Sequence, residues 1–169
     1  IIVGEIRGEE GYTLFSAMNT GHDGCFGTLH SNSARETIVR LQSPPISVPL
    51  IMLSSLNFVV MQQRIFDRRK GVIRRITELA EILVIEGDAP QIQVLYQWNP
   101  SKDVLEPTGV QSNYFGTLSH YTGLSKEDLL GELEARKQIL IELKKKGISG
   151  LSEVSDVTQN YLMKRTGRL

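Results

Sequence analysis

Ile1-Ile2-Val3-Gly4-Glu5 begins with an apolar, β-branched run that stops at a glycine and a carboxylate. A run this short and free of polar residues suits a strand buried on both faces of a parallel sheet. From Glu9 to Asn19, Tyr12, Phe15, Ala17 and Met18 fall at roughly helical spacing, and Thr20-Gly21 closes the segment with a C-terminal glycine signal. Gly24 to Leu29 is a second short strand, and Ser33 is placed to cap a helix running to Gln42. Strand, helix, strand, helix is the grammar of an α/β domain.

Pro44-Pro45 and Pro49 end that unit. The pattern then predicts a short helix near Pro49 to Ser55, a long strand from Leu56 to Phe66 and a polar turn from Asp67 to Gly71. A returning strand from Val72 to Ile85, a turn from Gly87 to Pro90 and a strand from Gln91 to Trp98 complete an antiparallel meander. Asn99 to Asp103 is a further turn sequence. From Asn113 onward the pattern turns helical. Ser125-Lys126-Glu127-Asp128 resembles a capping box, Lys144-Lys145-Lys146-Gly147 ends the helix, and Ser152 is expected to cap a last helix to Lys164. The expected division is 1–110 for the α/β part with its meander and 111–169 for a helical tail.

Composition narrows the function classes. Apolar content of 40% and charged content of 22% are those of a soluble globular chain. Basic and acidic residues balance at 19 each, so no global field attracts nucleic acid or anionic lipid. The single cysteine, Cys25, excludes an internal disulfide framework and a multi-cysteine zinc site, in keeping with a reducing cytoplasm. The longest apolar stretch, Ile46 to Met61, is interrupted by Pro49, Ser54, Ser55 and Asn57 and is shorter than the roughly 20 residues of a spanning helix. With no leader visible, membrane work is expected from outside the bilayer. Because Ile1 stands inside an apolar strand, the chain is expected to be the C-terminal part of a longer protein.

Glu5 sits just past an apolar strand, at the sheet edge where ligands bind in α/β folds. A carboxylate there can orient or deprotonate a water attacking a phosphoryl group, or hold magnesium through its water shell. Taken alone, it reads equally as a solvated loop acid. His22 and His30 flank a glycine-punctuated strand, and His30 falls at its end beside Ser31 and Asn32. An imidazole at that edge can stabilise a terminal phosphate, or can be a satisfied structural histidine. A zinc site fits worse, because no further ligand set accompanies the two. Arg64, Arg68, Arg69, Lys70, Arg74 and Arg75 form a local basic cluster astride a turn. With only Phe66 among them for stacking, a solvated turn or an acidic patch on a neighbouring subunit fits better than nucleic acid. Tyr96, Trp98, Tyr114, Phe115 and Tyr121 are expected to pack the meander and tail, and Cys25 to be a small core residue.

Ile1 to Arg7 resembles the Walker B segment of the type II secretion, type IV pilus and archaellum ATPases, and Thr20 to His30 resembles that family's histidine box. The pair with a helix between is far more specific than either part. The likeness extends more loosely through Val48-Pro49 to Ile82 in the manner of the archaeal branch. It implies the C-terminal portion of a RecA-like P-loop ATPase core, followed by the antiparallel meander and the α-helical tail. It implies ATP and magnesium as cofactors, with Glu5 as the catalytic glutamate and the magnesium-side acid acting through water. His30 would approach the γ-phosphate, His22 would shape the histidine box, and Gly4 and Arg7 would complete the nucleotide-side motif. It also implies a hexameric ring, an integral membrane platform protein as partner, and a cytoplasmic place at the inner face of the cell membrane. Two other readings stay open: a RecA-like nucleic-acid motor of conjugation or helicase type, and a non-enzymatic docking module.

The 169 residues contain no Gly-x-x-x-x-Gly-Lys-Ser/Thr, whose amides and lysine would cradle the phosphates, and no upstream acidic box. The chain by itself is therefore expected to show no micromolar ATP affinity in calorimetric titration; a measured micromolar Kd would contradict this.

Overall fold

A computed structural model describes residues 1–83 and 89–166. The chain divides into two compact units, Ile1–Ser112 and Asn113–Leu169.

The first unit begins with β1 (Ile2–Val3), α1 (Glu10–Asn19), β2 (Phe26–Gly27) and α2 (Ala34–Gln42). β1 and β2 pair in parallel, Ile2 opposite Phe26 and Val3 opposite Gly27. The second strand is thus much shorter than the sequence span Gly24 to Leu29, and Gly24, at φ +79°, lies outside the extended region. Ser33 caps α2 as expected, its hydroxyl accepting the Glu36 N–H at 3.1 Å. After a 3₁₀ helix at Leu50–Ser55 come β3 (Phe58–Asp67), β4 (Gly71–Leu83), β5 (Gln91–Asn99) and β6 (Val104–Pro107). These form one antiparallel sheet in the order β3-β4-β5-β6. The meander is as the sequence reads, with β6 as an added edge strand after the Asn99–Asp103 turn. The strand end to Ile85 and most of the turn from Gly87 lie outside the described residues.

Two bulges set which side chains face the core. Thr77 is the extra residue where β4 meets β3, and Leu95 where β5 meets β4. Both are buried. The extra residue at Leu95 turns Tyr96 outward to 40% exposure, so Tyr96 does not pack the core as expected. The core itself joins the α/β part to the sheet: Ile6, Leu14 and Phe15 cluster with Ile38, Leu41 and Leu53, and with Val59, Met61, Ala80 and Ile82. Gly11 is required by this packing, since a Cβ there would meet Ile46 Cγ2 at 2.5 Å and Ile6 Cγ2 at 2.9 Å.

Asp103 ties the far end of the sheet together. It accepts Arg75 Nε at 2.6 Å and Nη2 at 2.7 Å, Lys70 Nζ at 2.5 Å and Trp98 Nε1 at 3.2 Å. Arg75 and then Lys70 hold its carboxyl far below the usual range.

The second unit contains α3 (Tyr114–Thr122), α4 (Lys126–Lys145) and α5 (Leu151–Thr166). Its capping box is present: Ser125 Oγ accepts the Asp128 N–H at 3.1 Å and Asp128 Oδ2 accepts the Ser125 N–H at 3.1 Å. Gly147, at φ +68°, follows the Lys146 cap. Ser152 does not cap α5. The helix starts at Leu151, two residues earlier than a Ser152 cap would set it, with Val154 N–H donating to Gly150 O at 3.0 Å. Tyr121 is 81% exposed, its ring set at a steep angle to that of His120 with 5.4 Å between centroids, so it is not buried in the helical unit either.

Glu132 joins α4 to α5. It accepts Arg136 Nε at 2.9 Å, Tyr161 Oη at 2.9 Å and Arg165 Nε at 3.0 Å. Arg136, then Arg165, lower its pKa from 4.5 to about 2. A carboxylate depressed in the fold stabilises it fully above the unfolded value and ceases to do so as pH falls through the folded one. The helical unit should therefore lose thermal stability between pH 4.5 and about 2, and Glu132→Gln should flatten that dependence and cost about 1 kcal/mol at neutral pH. Circular dichroism melts across that range measure both effects.

Candidate functional site

The parallel pair places the site. Beyond the paired residues, Ile6 N–H donates to Thr28 O at 2.8 Å and Phe26 N–H donates to Ile1 O at 2.8 Å. The two chain segments therefore run side by side past the strand ends, and Thr28 Oγ1 bonds Gly4 O at 2.5 Å. Gly27 leaves room for the Ile6 and Leu14 side chains at this approach. A Cβ on it would lie 2.8 Å from Ile6 Cδ1 and 3.0 Å from Leu14 Cδ2. With those apolar groups in place, Glu5 and His30 emerge on the same edge.

His30 Nε2 lies 2.9 Å from Glu5 Oε1, and Arg7 Nε lies 2.8 Å from the same oxygen. Oε1 is closed to water, and both nitrogens meet it at ion-pair distance without hydrogen-bond alignment. The rest of the site is open: the Glu5 side chain is 31% exposed and that of His30 78%. Arg7 contributes most to lowering the Glu5 pKa, burial opposes it, and the charges of His30 and Arg40 add to the lowering. Glu5 is thus an ionised acceptor at neutral pH, in a surround of donors and cations that suits an anion.

The segments carrying these groups are braced from several sides. Glu10 Oε1 accepts the backbone N–H of Arg7 at 2.5 Å and of Gly8 at 2.8 Å, which fixes the loop after Glu5 to the first turn of α1. Past His30, Ser31 Oγ and Thr37 Oγ1 are 2.6 Å apart, and Asn32 donates through its N–H and its Nδ2 to Glu36 Oε2, each at 2.8 Å. From β3, Gln63 Nε2 donates to Asn32 O at 3.2 Å. Sequence reasoning does not find Glu10, Glu36, Thr37 or Gln63. Only the Ser33-x-x-Glu36 spacing, a capping-box signature, points to any of them.

His22 is not brought to this cluster's contacts. Its Nδ1 lies 3.2 Å from Ala17 O and 3.2 Å from Thr20 Oγ1, folded back on the C-terminal end of α1. A Cβ added at Gly4 would meet no heavy atom within 4 Å, so packing does not demand a glycine there. Cys25 is half-buried against the core, with Sγ 3.0 Å from His22 O.

Among the described residues no group of three or more His, Cys, Asp or Glu could hold a metal ion. Glu5 alone fits magnesium in the way that ion prefers, one carboxylate with waters retained. The nitrogen donors at this edge, Arg7 Nε and His30 Nε2, both lie against Glu5 Oε1. No helix of the described residues is long and apolar enough to cross a membrane.

A family profile described as "Type II/IV secretion system protein" matches residues 1–101. An uncharacterized protein of Methanocaldococcus jannaschii is 42% identical over 158 residues, covering 90% of this chain and 22% of that protein. A second uncharacterized protein of the same organism is 34% identical over 145 residues, covering 85% of this chain and 53% of that protein. A putative conjugal transfer protein of Mycobacterium tuberculosis is 32% identical over 104 residues, covering 60% of this chain and 29% of that protein. The chain spans no more than 53% of the length of any of these three relatives.

The ion pair makes a direct prediction. Arg7→Ala should raise the Glu5 carboxyl pKa toward its ordinary value of 4.5, read from the carboxyl carbon shift in an NMR titration. An unmoved titration would show that Arg7 does not set the charge of Glu5.

Proposed function

The chain belongs to the type II/IV secretion system protein family, a family of traffic ATPases, and from that premise we propose that it carries the hydrolytic side of an ATPase site in a longer protein. The observation that supports this most is the 2.9 Å approach of His30 to Glu5 across the parallel β1–β2 pair. It sets an ionised acceptor beside a donor at the strand ends, where α/β folds bind ligands.

In this reading Glu5 accepts a hydrogen bond from the attacking water and aims it at the γ-phosphate. Its lowered pKa makes it a better orienting acceptor than proton store. His30 donates toward the terminal phosphate oxygens, where charge gathers in the transition state. Arg7 holds the Glu5 carboxylate in place between turnovers. ATP would supply the phosphoryl group, and magnesium, when bound, would neutralise charge on its phosphates. The phosphate cradle would come from residues outside these 169, with His22 and Gly4 on the nucleotide side.

Turnover would drive protein secretion or filament assembly. The working form would be a hexameric ring on the cytoplasmic face of the membrane, acting on an integral membrane platform protein. The RecA-like core, the ring and the platform are inherited from the family likeness. A conjugation-type role is the second reading, favoured by the likeness to the putative conjugal transfer protein. DNA-stimulated turnover that falls with salt would select it.

In the full-length protein, Glu5→Gln and His30→Ala should each lower magnesium-dependent phosphate release by roughly two to four decades. Undiminished release from the Glu5→Gln protein would remove Glu5 from the mechanism.

A further inference from the structure

Glu5 is held through its backbone from two sides. On the β2 side, Thr28 O accepts the Ile6 N–H and Thr28 Oγ1 bonds Gly4 O. On the far side the chain turns at Arg7 and Gly8, and both of their N–H groups donate to a single oxygen. That oxygen is Glu10 Oε1, at 2.5 Å from Arg7 N and 2.8 Å from Gly8 N. These bonds, that from Arg7 first, hold the Glu10 carboxyl below its ordinary value, so it meets both amides as an anion.

An acid in the first turn of a helix is ordinary, because it complements the helix dipole. Glu9, one residue earlier, serves that purpose equally well and makes no side-chain capping bond. Glu10 differs in reaching back across the loop to the residues that follow Glu5. It is exposed and stands outside the core cluster, so packing does not call for its side chain. The contact of Arg7 Nε with Glu5 Oε1 at 2.8 Å depends on the course of the backbone between the two residues. The Arg7 amide is where Glu10 fixes that course.

We propose that Glu10 is a positioning residue for the hydrolytic step, clamping the Arg7 and Gly8 amides so that Glu5 stays aimed at the attacking water. This rests on the ATPase reading. The clamp needs an acceptor oxygen at the end of the side chain, which glutamine keeps and which alanine and methionine remove.

The test compares Glu10→Ala, Glu10→Met and Glu10→Gln in the full-length protein, with Glu9→Ala as the control for charge in the same turn and melts of all four. Glu10→Ala and Glu10→Met should lower kcat for magnesium-dependent ATP hydrolysis about tenfold or more, with KM for ATP within about twofold of wild type. Both should speed hydrogen exchange at the Arg7 and Gly8 amides at least about tenfold, read by mass spectrometry with single-residue fragmentation. Glu10→Gln should keep the slow exchange and hold kcat within about threefold of wild type, and Glu9→Ala should change neither. Added to Glu5→Gln, Glu10→Met should cost little more, because it acts through Glu5. Faster exchange with undiminished kcat, a glutamine variant as slow as the methionine one, or a loss that multiplies with that of Glu5→Gln would each overturn the proposal. If Glu5→Gln itself leaves phosphate release undiminished, the ATPase reading falls and the proposal falls with it. If Glu5→Gln is slow and Glu10→Met is not, the proposal alone falls.

Discussion

The site rests on the parallel pairing of β1 with β2, which sets Ile2 opposite Phe26 and Val3 opposite Gly27. Ile6 and Leu14 occupy the space that any Cβ there would need, at 2.8 and 3.0 Å. A side chain there would have to displace the ends of the Ile6 and Leu14 side chains. With β1 and β2 running in parallel, the residues just beyond them share one edge. Glu5 and His30, 25 positions apart in sequence, then come within 2.9 Å. Everything proposed about phosphate chemistry follows from that approach.

The brace around the site reaches into the meander. Gln63 on β3 holds Asn32 O, and the hydroxyls of Ser31 and Thr37 lie near Met61 Sδ at 4.0 and 3.9 Å. The loop bearing His30 is therefore fixed by α2 on one side and by the long hairpin on the other. A displacement of β3 would be felt at the histidine through a hydrogen bond and two close contacts rather than through a flexible linker.

Local signals in the sequence are reliable where one residue type has one job. Ser33 and Ser125 cap helices, Gly147 ends one, and the polar turn at Asp67–Gly71 joins two strands. Glu5 and His30 stand out because glycine-bounded apolar runs set them at strand ends. Ladder details are not legible in this way. A bulge is a mismatch between two strands, so neither Thr77 nor Leu95 is marked in its own segment, and the outward turn of Tyr96 is not foreseen from its aromatic character. The bracing residues Glu10 and Gln63 are ordinary polar residues whose partners are backbone groups in other segments. Ser152 fails as a cap because Gly150 already provides the first helical acceptor.

The central claim is that Glu5 and His30 act as one unit on the terminal phosphate. A double-mutant cycle on phosphate release by the full-length protein tests it most directly, comparing Glu5→Gln, His30→Ala and the pair. If the two form one unit, the double variant should be little slower than the slower single variant. Losses that multiply would show two groups acting independently and would contradict the account.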